Sequence, residues 1–192
     1  MIYHLVIFLN LTFLFSLQAK ENVKTWTLNG TKVDHQINKR EIDKAIRTIH
    51  RFVFKDGYEV VTLKLNLNGG DLEQAILLTE EIKRLNRETQ TTINTQVSGS
   101  IGCHSACTII FTAGKKRIAK RNATFGFHSP STDQSDEKPL IPVFRDLWLD
   151  YIYQVDSVLG EKLEAEKSLF KSQFTYFGAH ELSSGYVTDF LD

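Results

Sequence analysis

The chain has 192 residues, 42% of them hydrophobic and 24% charged, a balance that suits a globular domain and excludes a disordered or fibrous chain. Lys and Arg number 23, equal to the 23 Asp and Glu, and neither sign gathers into a block. A polyanion-binding surface is therefore not expected, and nucleic acid is not a predicted partner.

Met1 to Ala19 carries no Lys, Arg, Asp or Glu, and Leu5 to Leu17 is mostly Leu, Ile, Val and Phe. Asn10 and Thr12 interrupt this apolar run, which is short for a membrane span of roughly 20 residues. It reads as a signal peptide over 1–19, cleaved after Ala19, with one mature domain over 20–192 and a periplasmic or secreted location. An uncleaved anchor or an N-terminal apolar strand are the alternatives.

Thr25 to Leu28 forms the first strand candidate, closed by Asn29-Gly30. Asn38 and Glu41 then have capping-box spacing, and Ile42, Ala45, Ile46, Ile49 and Phe52 recur at helical spacing up to a turn at Asp56-Gly57. Val61, Leu63 and Leu65 alternate with Val60, Thr62 and Lys64 in a strand that stops at Asn68-Gly69-Gly70. The period of Leu72, Ile76, Thr79, Ile82 and Leu85 predicts a helix over Asp71 to Asn86. Thr91 to Ser98 reads as a strand, Ala106 to Ala113 as an apolar helical run, and Ala123 to His128 as a strand. A broad stripe including Phe144, Leu147, Trp148, Tyr151, Ile152, Val155 and Leu159 predicts one long helix from Val143 to Leu163. Strands alternating with helices indicate crossover units, hence an α/β fold with a mainly parallel sheet.

Two junctions can carry chemistry. At Asn68-Gly69-Gly70-Asp71 a strand runs through paired glycines into a helix, whose unpaired N–H groups could stabilise an oxyanion. The plainer reading is a tight turn without a ligand. At Gly99 to Cys107 a Gly- and Ser-rich bend precedes an apolar helix, where Ser105 can present its hydroxyl and the next N–H, that of Ala106, points into the same space. Serine needs a neighbouring base, and His128 stands at the end of the following strand. Each residue alone has a structural alternative: Ser105 as a helix cap, His128 as a solvated strand end.

Taken in order, the Asn-Gly turn, Asn-x-Asn-Gly-Gly, Gly-x-x-Ser-Ala and Gly-Phe-His-Ser-Pro resemble the Clp protease proteolytic subunit family. The nearest likeness is to exported Clp-like bacterial proteins with Cys-x-Ser-Ala-Cys followed by Ala-Gly-x-x-Arg, here Cys103 to Cys107 and Ala113 to Arg117. The likeness runs from Trp26 to Asp189. It implies a ClpP/crotonase-like spiral of ββα units, homo-oligomers and serine peptidase chemistry on peptide or protein substrates. Ser105 then corresponds to the nucleophile and His128 to the base, with N–H groups of Gly69, Gly70 and Ala106 as the oxyanion hole. No cofactor or resident metal is implied.

The sequence departs from that family in two places. The stretch expected to supply a triad Asp, Lys171 to Tyr176, holds no carboxylate, which leaves Gln173, Thr175 or a backbone carbonyl as candidate orienters of His128. Losing that Asp can lower turnover by about 10⁴. The glycine-rich strand expected after the His is replaced by the polar run Ser131 to Asp136, which reads as a loop. Cys103 and Cys107 bracket Ser105 and are a candidate disulfide in an exported chain; His104 beside them makes too few ligands for a zinc site. A non-catalytic scaffold, crotonase-type thioester chemistry, or a Ser-Lys dyad using Lys64, Lys115 or Lys116 are the competing readings. A Clp ATPase partner is not expected for an exported chain.

Overall fold

The computed structural model describes residues 21–99, 101–130, 142–182 and 185–191. The expected signal peptide and the loop from Ser131 to Asp136 lie outside these residues. Eight strands and five α-helices are formed among them, in the order β1 (Val23–Asn29), α1 (Lys39–His50), β2 (Val60–Asn66), α2 (Leu72–Glu88), β3 (Thr92–Val97), β4 (Cys103–His104), α3 (Ala106–Thr112), β5 (Arg117–Lys120), β6 (Thr124–Phe127), α4 (Pro142–Tyr153), α5 (Ser157–Ala165), β7 (Thr175–Gly178) and β8 (Asp189–Leu191).

The larger sheet runs β1-β2-β3-β5-β8 with every neighbouring pair parallel. Its middle strands are covered on both faces, and this explains why β2 buries Thr62 along with Val61, Leu63 and Leu65. Ile42, Ala45 and Ile49 of α1 and Ala75, Leu78, Ile82 and Leu85 of α2 belong to the same core. Both helices begin on a side-chain cap: Asn38 Oδ1 accepts from Glu41 N–H at 3.1 Å, and Asp71 Oδ1 from Gln74 N–H at 3.1 Å. A π-helical turn over Arg51–Lys55 extends α1 towards Asp56-Gly57.

A second, smaller sheet runs β4-β6-β7, with β4 parallel and β7 antiparallel to β6. The chain leaving β2 ties the two sheets together. Leu67 bridges to Cys103, and Gly70 bridges to Ile37. Between the sheets lies α3, buried along its whole length from Ala106 to Thr112. This matches the uninterrupted apolar run in the sequence.

The single long helix expected from Val143 to Leu163 is instead two, α4 and α5, broken before Asp156. Periodicity could not reveal the break, since Tyr151, Ile152, Leu159 and Leu163 are all buried on either side of it. The cause is tertiary. Asp156 is an N-cap whose Oδ1 accepts from Leu159 N–H at 3.0 Å while its Oδ2 accepts from Tyr186 N–H at 3.0 Å, so one carboxylate both restarts the helix and anchors the C-terminal segment. Asp156→Ala should lower stability by about 1–3 kcal/mol through loss of the cap and an unpaired N–H. The midpoint of urea unfolding checks this; an unchanged midpoint would remove Asp156 from this role.

Candidate active site

Ser105 is the turn between β4 and α3, with φ 52° and ψ −130°, a conformation that a non-glycine residue keeps only when its surroundings impose it. Its N–H donates to Gly126 O at 2.8 Å, and its carbonyl accepts from Thr108 N–H at 2.9 Å and from Thr108 Oγ1 at 2.7 Å. With both backbone groups committed, the side chain is turned outward. Cys103 and Cys107 are joined by a disulfide with their Cα atoms 5.3 Å apart, bracketing the same turn. So small a loop constrains the unfolded chain little, and the bond acts on the local geometry of Ser105.

His128 follows β6, and its Nε2 lies 2.7 Å from Ser105 Oγ. Burial in apolar surroundings pushes the imidazole below its ordinary value of 6.5. It is therefore neutral at pH 7 and able to accept a proton. Among the described residues no carboxylate hydrogen-bonds to His128. Gln173 is exposed, Thr175 lies on the same face of β7 as buried Phe177, and among the described residues neither hydrogen-bonds to the imidazole.

The two glycines after β2 each have a separate steric task. A Cβ on Gly70 would fall 2.4 Å from Ile37 N, and one on Gly69 would fall 2.7 Å from Ser105 Cβ. Both also have positive φ, 97° at Gly69 and 119° at Gly70. Ile37 bonds to Gly69 O and Asp71 N, so Gly70 directs its own N–H to the other edge of this segment, the edge Leu67 shares with Cys103. Ala106 N–H heads α3 beside it. Among the described residues none of the three N–H groups, of Gly69, Gly70 or Ala106, has a backbone acceptor.

Several residues around Ser105 escaped sequence reasoning. His104 Nδ1 lies 2.9 Å from Asn68 Oδ1, tying the glycine turn to β4, and burial lowers its pKa from 6.5. Trp148 Nε1 donates to Thr108 Oγ1 at 3.1 Å, and Tyr186 Oη donates to Thr108 O at 2.7 Å. Arg117, from the Ala-Gly-x-x-Arg motif, donates to Gly185 O at 2.6 Å and Tyr186 O at 2.9 Å. No spacing rule marks these contacts, because each joins residues far apart in the chain. Lys64, Lys115 and Lys116 make no hydrogen bond to Ser105 among the described residues. A cavity of about 700 Å³ beside β1 and α1, lined by Trp26, His35 and Arg40 among others, contains neither Ser105 nor His128.

No protein-family model matches the chain, and no curated protein matches it. Among solved structures, the ClpP protease catalytic domain from Plasmodium falciparum superposes with a TM-score of 0.65 at 18% sequence identity, covering 89% of this chain and 85% of that one. The fold is ClpP-like. At this identity the likeness establishes the ClpP/crotonase-like architecture, and the chemistry must be argued from the side chains.

Gly69→Ala tests the closeness of that packing. Its Cβ would also lie 3.3 Å from Ser105 Oγ, so Ser105 must be displaced. The variant should remain folded by circular dichroism yet lose about 1–3 kcal/mol of stability through the forced overlap; an unchanged midpoint of urea unfolding would contradict the contact.

Proposed function

We propose that the protein is a Clp-like serine hydrolase, most naturally a peptidase of the cell envelope, working with a Ser105–His128 dyad. The observation that carries this reading is the 2.7 Å separation of Ser105 Oγ and His128 Nε2 at a strained turn. That distance is within reach for direct proton transfer. As Ser105 Oγ bonds to the substrate carbonyl carbon, its proton passes to His128 Nε2. The N–H groups of Ala106 and of Gly69 or Gly70 receive the developing oxyanion. His128 then gives the proton to the leaving amine as the C–N bond breaks, and water attacks the acyl-enzyme with His128 again as base.

Location and assembly belong to the same reading. The charge-free apolar segment over 1–19 and the Cys103–Cys107 disulfide both suit an oxidising compartment. The ClpP-like fold is compatible with peptide substrates and with oligomers. A scaffold that keeps the fold and binds without catalysis is the second reading, favoured by the absence of a carboxylate on His128 among the described residues.

A fluorophosphonate probe separates the two. Labelling should vanish in Ser105→Ala and fall by about 10²–10⁴ in His128→Ala, the range for loss of a general base. Because burial depresses the His128 pKa, labelling should hold at neutral pH and fall only as pH drops through a value below 6.5. A folded, oxidised protein that never labels would leave the scaffold reading.

A further inference from the structure

β7 brings a particular side chain to the side of His128. Phe127 of β6 lies opposite Thr175, and one step on the ladder closes with Ser129 N–H donating to Lys171 O at 2.7 Å. His128 sits between those points and faces Phe174. Side chains alternate along a strand, so Phe174 and Tyr176 share one face while Thr175 and Phe177 take the other.

The Phe174 ring centroid lies 4.3 Å from that of His128, tilted by 41°. Tyr176 stacks on Phe174 at 5.4 Å and 18°, and His104 meets Tyr176 edge-on at 5.4 Å. Gly126 makes the row possible: a Cβ there would meet Phe174 Cδ1 at 2.9 Å and Tyr176 Cε1 at 3.0 Å. From α4, Trp148 presents its ring edge-on to His128 at 6.3 Å. The polar and titratable groups nearest this row are Ser105, His104, Tyr176 and Thr124, and α4 adds Arg145, Asp146 and Asp150. Asp146 is exposed and paired with Arg145, Asp150 is exposed, and among the described residues neither hydrogen-bonds to His128.

We propose that Phe174 is the positioning residue of the dyad, its ring holding the His128 imidazole on Ser105 where no described residue supplies a carboxylate. This rests on the reading of Ser105 as a nucleophile. The ring restricts rotation of the imidazole by contact, and its electron-rich face attracts the imidazolium formed when Ser105 gives up its proton. It supplies no full counter-charge. The dyad therefore has an oriented base whose charged form is less stabilised than one beside an Asp.

The first test uses the Ser105→Ala protein, so no activity is needed. The His128 ring is titrated by NMR in the Phe174→Asp and Phe174→Asn versions. Against the Asn version, the Asp version should raise the His128 pKa by about 1–3 units, as an opposite charge within contact range does. Equal pKa values would overturn the placement. In the protein with Ser105 intact, Phe174→Leu should slow fluorophosphonate labelling by about 10-fold or more, an orientation loss of some 1.4 kcal/mol, while Phe174→Tyr stays close to the parent. The side chain is 37% exposed, so these variants leave the core unaltered, and circular dichroism confirms their fold. Labelling of Phe174→Leu at the parental rate would overturn the positioning role. Absence of labelling in the parent itself would instead sink the hydrolase reading, and the role of Phe174 with it; the parental sample tells the two failures apart.

Discussion

Ser105 can hold a positive φ because its peptide is tied to three different parts of the chain. Its N–H is fastened to Gly126 of β6, its carbonyl to Thr108 in the first turn of α3, and the Cys103–Cys107 disulfide spans it. A strained residue persists only where the surrounding contacts over-determine it. Here they also aim the side chain. The bond to Gly126 joins β4 to the strand that leads into His128, so the same pairing that imposes the turn brings the imidazole to Ser105.

Support for that turn extends through a buried network. Thr108 receives Trp148 on its hydroxyl and Tyr186 on its carbonyl, while Arg117 and Asp156 secure the backbone that carries Tyr186. Burial holds the Tyr186 phenol well above its usual range, so it stays a neutral donor. Such networks are stable when each member finds its partner, and they rigidify the surrounding core. The C-terminal segment from Gly185 to Tyr186 is thereby coupled to α3, the helix that follows Ser105.

The electrostatics around His128 are those of an apolar box. Aromatic rings from Phe174, just before β7, and Trp148 of α4 pack beside it, desolvation lowers its pKa, and among the described residues no carboxylate hydrogen-bonds to it. A triad Asp supplies orientation and charge stabilisation together; on the proposed reading of this site, packing by Phe174 supplies the first alone. This is a different arrangement from the family pattern that the sequence motifs resemble, built on a backbone of the same ClpP-like fold.

Sequence by itself determined the alternation of strands and helices, the paired glycines, and the placement of Ser105 before a helix and His128 at a strand end. These are local properties: period, turn chemistry and side-chain type act over a few residues. It also exposed the lack of a carboxylate between Lys171 and Tyr176. Which residue faces His128 is not legible there, since Gln173, Phe174 and Thr175 are adjacent in the chain. Strand register decides that question, because a shift of one residue exchanges the two faces of β7. The break between α4 and α5 has the same origin, since Asp156 is recruited by Tyr186 from far along the chain. Only the tertiary structure brings Phe174 to the imidazole and Trp148 to Thr108, for these contacts depend on the pairing of β7 and the packing of α4, neither of which leaves a periodic trace in the sequence.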